Sequence, residues 1–266
     1  YYNSDTKFKS CTFTGNKGPN GGAVYVGEED KVCFENCRFE NNTASDCVGA
    51  GYIKPSATAT FSNCTFKSNT ASYYGGAVYI ESTGTGSFSD CTFEGNSANT
   101  RGGAIDSSGT ADITNCTFTS NSATSGTGYG GAINIDSGTV NISSITCSRN
   151  SATSGNDIYN HNGTLNIGGT VSSIDIYMNN SLDAYSPVLV PVKGITLANE
   201  TDTINIKMAS CKEGTAVLTK PDSITNDDFA NAVKCFTLTN DGFVIGSDGN
   251  ANTETTEPTG TSISSF

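Results

Sequence analysis

Residues 61–80 read FSNCTFKSNTASYYGGAVYI and contain both halves of the repeat that decides how this chain folds. The first half is an apolar residue, two spacers, Cys, one spacer, Phe, two spacers and Asn. The residues that begin each copy are Phe8, Phe34, Phe61, Phe88, Ile113 and, in a degenerate copy, Ile142. Successive copies are 26, 27, 27, 25 and 29 residues apart. A period in this range indicates a solenoid in which each repeat forms one coil.

The second half of the repeat is a pair of glycines followed by Ala and a short apolar run. It recurs at residues 21–26, 75–80, 102–105 and 130–135, and in altered form at 48–53 and 155–159. Short runs with a period of two, separated by Gly, Asn and Ser, are typical of strands and turns. No stretch has the spacing of an amphipathic helix. We expect each glycine pair to form a sharp bend before a strand.

A single repeat has too few apolar residues to fold alone, whereas stacked coils share backbone hydrogen bonds and bury equivalent side chains on one another. We therefore predict an all-β fold, a right-handed parallel β-helix of about seven to nine coils. Each coil would contain 25–29 residues. A β-sandwich would also contain short strands, but it does not require a single period.

Stacking places equivalent residues of successive coils in ladders. Asparagine amides can bond from coil to coil, and Asn also tolerates the left-handed backbone of a tight corner. The predicted structural ladders are Phe13, Phe39, Phe66, Phe93 and Phe118; Cys11, Cys37, Cys64, Cys91 and Cys116; and Asn16, Asn42, Asn69, Asn96 and Asn121.

The chain divides into three segments by the regularity of this pattern. Residues 1–163 contain the regular β-helix repeats. Residues 164–246 keep short alternating runs without the motif, so we expect irregular coils and a cap. Residues 247–266 are rich in Thr and Ser and are predicted to be a tail or linker.

The ten cysteines favour buried thiols over disulfides. Cysteines stacked in one ladder have Cβ atoms about 4.8 Å apart, which is longer than a disulfide prefers. Cys33 and Cys47 lie outside the ladder, and a disulfide that involves either of them, or one between Cys211 and Cys235, is the alternative. The chain has one His and no Cys-x-x-Cys spacing, so we expect no metal site and no cofactor.

The pairing of Gly-Gly-Ala-Ile/Val with Phe-x-x-Asn resembles the repeats of the polymorphic outer-membrane proteins, which are surface adhesins with β-helical passenger domains. Related repeats occur in other adhesin-like β-helix surface proteins. The resemblance covers about residues 8–160 and implies a role in adhesion for both tetrapeptides. In this chain they are 21–24, 75–78, 102–105 and 130–133, with Phe13/Asn16 through Phe118/Asn121. The alternative is that these residues only bend and fill the coils.

The acidic balance excludes several classes of partner. A net charge of −12 argues against nucleic acid and anionic membrane surfaces. No apolar run is long enough for membrane insertion. Three tyrosines that would point outward on one strand of successive coils, Tyr25, Tyr52 and Tyr79, form a candidate contact stripe for sugar or protein, or they stabilise the sheet.

The rival function is a polysaccharide lyase or hydrolase. Asp106 and Asp136 would lie on neighbouring coils at a separation that suits a catalytic carboxylate pair. Arg101 and Arg149 are the arginines that could assist them. Lyases of acidic sugars need a cationic cleft, however, and this chain is acidic. We therefore expect solvated surface carboxylates and no enzymatic activity.

Together these features predict an extracellular or cell-surface protein that is adhesin-like or structural. The coil ends and the tail are expected to support self-association, head to tail, into a filament or sheath, since exposed sheet edges attract further strands. A glycan or protein receptor on a host cell or another surface is the other expected partner.

Overall fold

A computed structural model of the chain defines residues 5–179, 188–191, 196–197, 204–208, 236–239, 243–245 and 250–253, and the structure described below is that of these residues. Their regular secondary structure is β-strand alone. Strands of successive coils pair in parallel to form three long sheets. The predicted all-β solenoid is therefore confirmed.

Sheet 1 is the largest and receives the Phe-x-x-Cys-x-Phe half of each repeat. In the first four coils this half is split into two short strands, and in the next coils it forms one long strand. The strands of sheet 1 are β1 (Asp5–Lys9), β2 (Thr12–Thr14), β5 (Lys31–Glu35), β6 (Arg38–Glu40), β9 (Thr58–Ser62), β10 (Thr65–Lys67), β13 (Thr85–Ser89), β14 (Thr92–Glu94), β17 (Thr110–Thr119), β20 (Thr139–Ser148), β22 (Thr164–Val171), β24 (Val188–Pro191) and β25 (Thr196–Leu197).

Sheets 2 and 3 complete each coil. The strands of sheet 2 are β3 (Lys17–Gly18), β7 (Thr43–Ala44), β11 (Thr70–Ala71), β15 (Ser97–Ala98) and β18 (Ser122–Ala123). Sheet 3 holds the strand that follows each glycine pair. Its strands are β4 (Val24–Val26), β8 (Gly51–Ile53), β12 (Val78–Ile80), β16 (Ile105–Ser107), β19 (Ile133–Ile135), β21 (Ile158–Asn160), β23 (Ile174–Met178), β26 (Ile204–Met208) and β27 (Phe236–Leu238).

The core is a stack of aromatic ladders. Phe66 pairs in register with Phe39 on one side and Phe93 on the other. The rings of Phe93 and Phe118 are parallel, with centroids 4.6 Å apart. From Phe34 onward these phenylalanines have at most 1% of their surface exposed. Equivalent rings on neighbouring coils therefore bury one another, as the period of the sequence requires.

The asparagine ladder joins coils at the corner between sheets 1 and 2. The main-chain N–H and Nδ2 of Asn69 both donate to Oδ1 of Asn96, at 3.1 and 2.9 Å. Nδ2 of Asn69 also donates to the carbonyl oxygen of Phe39, at 2.9 Å. The coil-to-coil bonds repeat from Asn16 to Asn150. The predicted coil-to-coil amide bonds are confirmed.

The left-handed backbone lies one residue before each ladder asparagine, not on it. Those preceding residues have φ between 54° and 65°. They are Gly15, Asn41, Ser68, Gly95, Ser120 and Arg149. The prediction that the ladder asparagines themselves adopt this conformation is therefore wrong. The preceding residue makes the bend, which leaves the ladder residue free to turn its amide inward.

The ladder cysteines lie beside the aromatic ladders as free thiols. Sγ of Cys64 contacts the carbonyl oxygens of Phe34 and Ser62 at 3.5 and 3.4 Å, and the other members of the ladder repeat these contacts. Cys33 and Cys47 are also free, so the alternative of a disulfide involving either one is wrong. Neither has a stacked cysteine partner, because each occurs in a single coil. Cys211 and Cys235 lie outside the described residues.

The coil that follows the regular repeats is shorter. Ile158 pairs with Ile176, only 18 residues later, and sheet 2 has no strand after β18 among the described residues. Later described strands continue sheets 1 and 3. Strands β28 (Phe243–Ile245) and β29 (Ala251–Thr253) form an antiparallel hairpin. Ala251, within the predicted tail, is fully buried.

Candidate contact face on sheet 3

One column of side chains on sheet 3 points away from the core. Strand register places Tyr25, Tyr52 and Tyr79 in line on three successive coils, followed by Asp106 and Asn134. The column then returns to tyrosine at Tyr159 and Tyr177. We call these five tyrosines the tyrosine column. The structure thus places the three residues of the predicted contact stripe in line. Of the two later tyrosines, Tyr177 is partly exposed, whereas Tyr159 is buried.

The first part of the tyrosine column is half open to solvent. Tyr25 is 56% exposed, and its ring meets that of Tyr52 edge to face at 5.4 Å between centroids. Tyr52 donates from its hydroxyl to Oε2 of Glu81 at 2.9 Å, and burial, with this hydrogen bond, raises its pKa. Nζ of Lys54 lies 2.6 Å from the same carboxylate oxygen. The tyrosines here are therefore held by polar neighbours as well as by stacking.

Asp106 occupies the tyrosine position of its coil but is completely buried. Its Oδ1 accepts a hydrogen bond from Nδ2 of Asn134 at 2.6 Å, and Nε of Arg101 lies 3.5 Å from its Oδ2. Burial raises the pKa of Asp106 to about 6, although Arg101 and Asn134 oppose the shift. The expectation of a solvated carboxylate is wrong at this position, because the Arg101 side chain lies against it.

Asp136 is the carboxylate that solvent reaches. About 30% of its side chain is exposed. Its Oδ1 pairs with Nη1 of Arg101 and lies 3.4 Å from Nδ1 of His161. Ser108 donates from its hydroxyl to Oδ2 of Asp136 at 3.4 Å. Asp136 therefore joins side chains from three coils, and only one of the two predicted carboxylates is accessible.

Arg101 connects the two carboxylates to an aromatic ring. Its guanidinium carbon lies 4.3 Å from the centroid of Tyr74, within the range of a cation–π contact. Backbone bridges align Tyr74, Arg101 and Tyr129 on successive coils. Arg149, the other arginine considered for catalysis, lies instead on an exposed corner after sheet 1.

Among the described residues, three buried polar atoms of this cluster make no hydrogen bond: Nε of Arg101, Oδ2 of Asp106 and Oδ1 of Asn134. The first two lie 3.5 Å apart as an ion pair. Unpaired buried groups are costly, so their concentration at one place sets it apart from the satisfied Asn ladder. We define the polar break as the partly exposed side chains of Arg101, Asp136 and His161, which lie beside the tyrosine column where Asp106 and Asn134 replace tyrosine.

Sequence reasoning missed four members of this face: Tyr74, Tyr129, His161 and Tyr177. A signal for two of them was present. Tyr74 and Tyr129 stand immediately before a glycine pair, as Arg101 does, and this shared position predicts that they stack. His161 and Tyr177 lie where coil lengths change, and the repeat does not predict their neighbours.

The repeat motif itself is used inside the molecule. The side chains of Ala77, Val78, Phe66 and Asn69 are fully buried, as are the equivalent residues of the neighbouring coils. A carbonyl oxygen of the next coil lies where a side chain on the second glycine of each pair would have to fit. These residues are therefore occupied in building coils and are not on the surface.

The described residues contain no group of three or more His, Cys, Asp and Glu side chains that could hold a metal ion. Among them, too, no helix is long and apolar enough to cross a membrane.

Comparison with curated proteins gave no match, and comparison with solved structures gave none either. The family model described as "Right handed beta helix region" matches residues 1–181, which is more than half of the 266 residues. The stacked parallel strands of sheets 1, 2 and 3 agree with that description. The chain therefore belongs to the right-handed β-helix family.

Proposed function

We propose that this protein is an extracellular, non-enzymatic β-helix that acts as a surface adhesin or structural element and makes contact through sheet 3. The observation that carries this proposal is the division between the inside and the outside of the coils. Repeat residues fill the core, whereas Tyr25, Tyr52 and Tyr79 of the tyrosine column and the side chains of the polar break are exposed or partly exposed on sheet 3. Exposed aromatic residues in a polar setting are common in recognition surfaces.

The burial of Asp106 supports a non-enzymatic role. Glycoside hydrolysis needs two carboxylates that both reach the scissile bond. Asp106 has no exposed surface and is covered by Arg101. It therefore cannot serve as the second catalytic carboxylate beside Asp136. The alternative of a polysaccharide lyase or hydrolase predicts depolymerisation that Asp136→Asn abolishes. A viscosity assay on soluble polysaccharides distinguishes the two.

The extracellular location is proposed from the resemblance to polymorphic outer-membrane-protein repeat adhesins. The acidic surface agrees with it, since a net charge of −12 disfavours nucleic acid and anionic membrane partners. The expected partner is a glycan or protein on another surface. The function needs no cofactor.

The test of adhesion is saturable binding of the labelled monomer to fixed epithelial and bacterial cells, measured by flow cytometry. The double variant Tyr25→Ser/Tyr79→Ser removes two rings from the tyrosine column and should reduce binding at least tenfold. The matched control is Lys67→Ser/Glu94→Ser on sheet 1, which removes an exposed ion pair and leaves the net charge unchanged. Absence of saturable binding, or equal loss in both variants, contradicts the proposal.

A second candidate, head-to-tail self-association, is favoured by the direction of the asparagine ladder. Every ladder amide donates toward the next coil along the chain, so Asn16 presents Oδ1 toward a coil that would stack before it. A second copy of this chain could donate to that oxygen and to the backbone of β1 and β2.

Negative-stain electron microscopy over a range of concentrations tests self-association. Fibres with an axial repeat of one rod length are expected if coils stack end to end. Asn16→Lys places a charge at the end of the ladder and should dissolve the fibres, while Lys67→Ser/Glu94→Ser should not. Isolated rods at every concentration would remove the filament and leave the adhesin.

A further inference from the structure

We propose that sheet 3 binds an arginine-rich segment of a partner protein through a patch of five tyrosines and the carboxylates beside it. This inference rests on the proposed function, because it requires sheet 3 to be the contact face. It specifies the chemistry of the partner, which adhesion alone does not.

Five tyrosine rings form one continuous surface, which we call the tyrosine patch. The ring centroid of Tyr52 lies 5.4 Å from that of Tyr25 and 5.4 Å from that of Tyr79. The ring of Tyr74 lies 6.1 Å from Tyr79 and 6.0 Å from Tyr73. The two ends of the patch, Tyr25 and Tyr73, are the most exposed large hydrophobic side chains of the described residues, at 56% and 48%. Exposed aromatic side chains gathered in one place are typical of a protein contact surface.

Two cations of the chain itself show how this surface holds a positive charge. The guanidinium carbon of Arg101 lies 4.3 Å from the ring centroid of Tyr74, and Arg101 is also paired with a carboxylate of the polar break. Nζ of Lys54 lies 5.2 Å from the ring centroid of Tyr52 and 2.6 Å from Oε2 of Glu81. In both cases one cation is shared between the face of a tyrosine and a carboxylate.

The same combination of ring and carboxylate occurs at the Tyr25 end of the patch. Glu28 and Glu29 are exposed and lie in the turn that follows the strand of Tyr25. The hydrogen bond to Glu81 chiefly raises the pKa of Lys54, and Tyr25 and Glu28 raise it further. Tyr25 and Glu28 are therefore close enough to act on the same cation.

A second combination of this kind occurs at the Tyr73 end. The main-chain N–H of Tyr73 donates to the carbonyl oxygen of Asp46 at 3.0 Å, which places the two residues next to each other on neighbouring coils. Both side chains are exposed. Asp46, Glu28 and Glu29 take part in none of the ion pairs of the described residues.

Charge complementarity indicates that the partner is basic. Lys54 and Arg101, the cations on the patch, are already paired with carboxylates, whereas the carboxylates at both ends have no ion-pair partner among the described residues. An anionic segment would be repelled, and an apolar segment would remove these carboxylates from water without compensation. Arginine fits better than lysine, because its planar guanidinium stacks on an aromatic ring and binds a carboxylate through two N–H groups.

Fluorescence anisotropy of labelled, capped peptides with the full chain tests this proposal. The probe is a twelve-residue peptide with four arginines separated by Gly and Ser, and its two counterparts carry lysine or glutamine in place of arginine. We expect saturable binding of the arginine peptide, at least threefold weaker binding of the lysine peptide and no binding of the glutamine peptide. Absence of saturable binding of the arginine peptide, or equally tight binding of either counterpart, overturns the proposal.

Two double variants locate the site. Tyr25→Leu/Tyr73→Leu keeps large apolar side chains but removes the ring faces at both ends of the patch. Glu28→Gln/Glu29→Gln removes two charges and keeps the shape of the side chains. Each should weaken binding of the arginine peptide at least tenfold. If both variants are folded by thermal unfolding and bind as the unchanged protein does, the assignment to the tyrosine patch is wrong.

The matched control is Asp90→Asn/Glu94→Gln, which removes two exposed charges on the side of sheet 1. It changes the net charge by the same amount as the glutamate variant of the patch and should leave binding of the arginine peptide within twofold. An equal loss in the control would mean that binding follows the overall charge of the chain, which overturns the proposal.

The peptide experiment separates the partner from the function. Saturable cell binding without binding of the arginine peptide leaves adhesion standing with a receptor of other chemistry and overturns the arginine-rich partner. Binding of the arginine peptide that the patch variants abolish, without cell binding, supports the site and contradicts adhesion to those cells.

Discussion

Asn150 donates a hydrogen bond from Nδ2 to Oδ1 of Asp157 at 2.9 Å, and this contact ends the asparagine ladder on a carboxylate. Oδ2 of Asp157 accepts the main-chain N–H of Asp175, also at 2.9 Å. The carboxylate therefore takes the place of the next ladder amide and bonds forward to the shortened coil. Burial raises the pKa of Asp157 to about 6, although both hydrogen bonds oppose the shift.

Stability should increase as the pH falls from 7.5 to 5. Asp106 and Asp157 have folded-state pKa values of about 6, above the value of about 3.9 for an unfolded chain. The folded state then binds more protons between these values, so stability gained at low pH is lost as the pH rises through the folded pKa. Each group contributes about 1 kcal/mol over this interval.

Urea unfolding at the two pH values measures this effect. Asp106→Asn removes one titrating carboxyl group and should reduce the pH-dependent gain by about 1 kcal/mol. The substitution should fit, because the neighbouring coil carries Asn134 at the same position. Thr117→Ser, a half-buried position on sheet 1, changes no titratable group and should leave the gain unchanged. An identical pH dependence in all three proteins would show that Asp106 does not titrate as described.

Breaking the asparagine ladder in its middle should be far more costly than breaking it at its end. Asn96 donates to Asn121 and to Phe66, and accepts from both nitrogens of Asn69. Asn96→Ala leaves these buried partners unsatisfied and should lower the free energy of unfolding by about 2–4 kcal/mol.

The matched control is Asn16→Ala, at the exposed end of the ladder, where the bond from Nδ2 of Asn16 to Oδ1 of Asn42 is lost and the bond from the main-chain N–H is kept. Its cost should be under about 1 kcal/mol. Urea unfolding followed by circular dichroism compares the two variants. Equal costs would mean that the ladder bonds do not stabilise the coils.

Glycine pairs should tolerate no side chain at their second position. A Cβ on Gly76 would lie 2.6 Å from the main-chain N and C atoms of Ser97 and would clash with the carbonyl oxygen of Gly103. Gly76→Ala forces neighbouring coils apart and should cost about 3 kcal/mol or more.

Gly95→Asn provides the contrast. Gly95 has φ +63°, and only Ser68 Oγ, at 3.8 Å, is near a Cβ built there. The equivalent residue one coil earlier, Ser68, and two coils earlier, Asn41, adopts the same conformation with a side chain. The variant should change stability by less than about 0.5 kcal/mol. A melting temperature as low as that of Gly76→Ala would contradict the packing described here.

Thiol labelling should divide the cysteines by position. Burial keeps the reagent away from the buried thiols and raises the pKa of Cys37 and Cys147. Burial also raises the pKa of Cys47, but this thiol is partly exposed and should react slowly. Iodoacetamide should label the half-buried Cys11, Cys33 and Cys47 in the folded protein. Cys64, Cys91, Cys116, Cys37 and Cys147 should react only in urea.

Peptide mass spectrometry with and without urea measures this pattern. Label on a buried ladder cysteine (Cys37, Cys64, Cys91 or Cys116) in the folded protein would mean that the coils open. A peptide pair linked through Cys33 or Cys47 after non-reducing digestion would contradict the free thiols.

Much of the inside of the coils follows from the period alone. Phe66, Cys64 and Asn69 recur at nearly constant spacing, so any stacking that pairs one of them pairs all three. The exception is instructive: the left-handed residue is Ser68 rather than Asn69, because the ladder amide must turn inward while its neighbour makes the bend.

The polar break could not be predicted in the same way. The sequence predicts a solvated carboxylate at Asp106, yet Asp106 is buried against Arg101, which reaches it from the preceding turn. His161 contacts Asp136 from a coil of different length, 25 residues on. Loop lengths of this kind vary without changing the repeat.

The amino-acid sequence therefore determines the coil, its ladders and its parallel stacking. Each depends on a short pattern that recurs at one period, so that every residue of the pattern contacts its equivalent in the neighbouring coil. The tertiary structure alone decides which outward side chains meet, since Arg101, Asp136 and His161 are joined across coils by turns of unequal length. Core contacts repeat from coil to coil, whereas the contact of Arg101, Asp136 and His161 occurs once among the described residues and depends on how those particular turns lie.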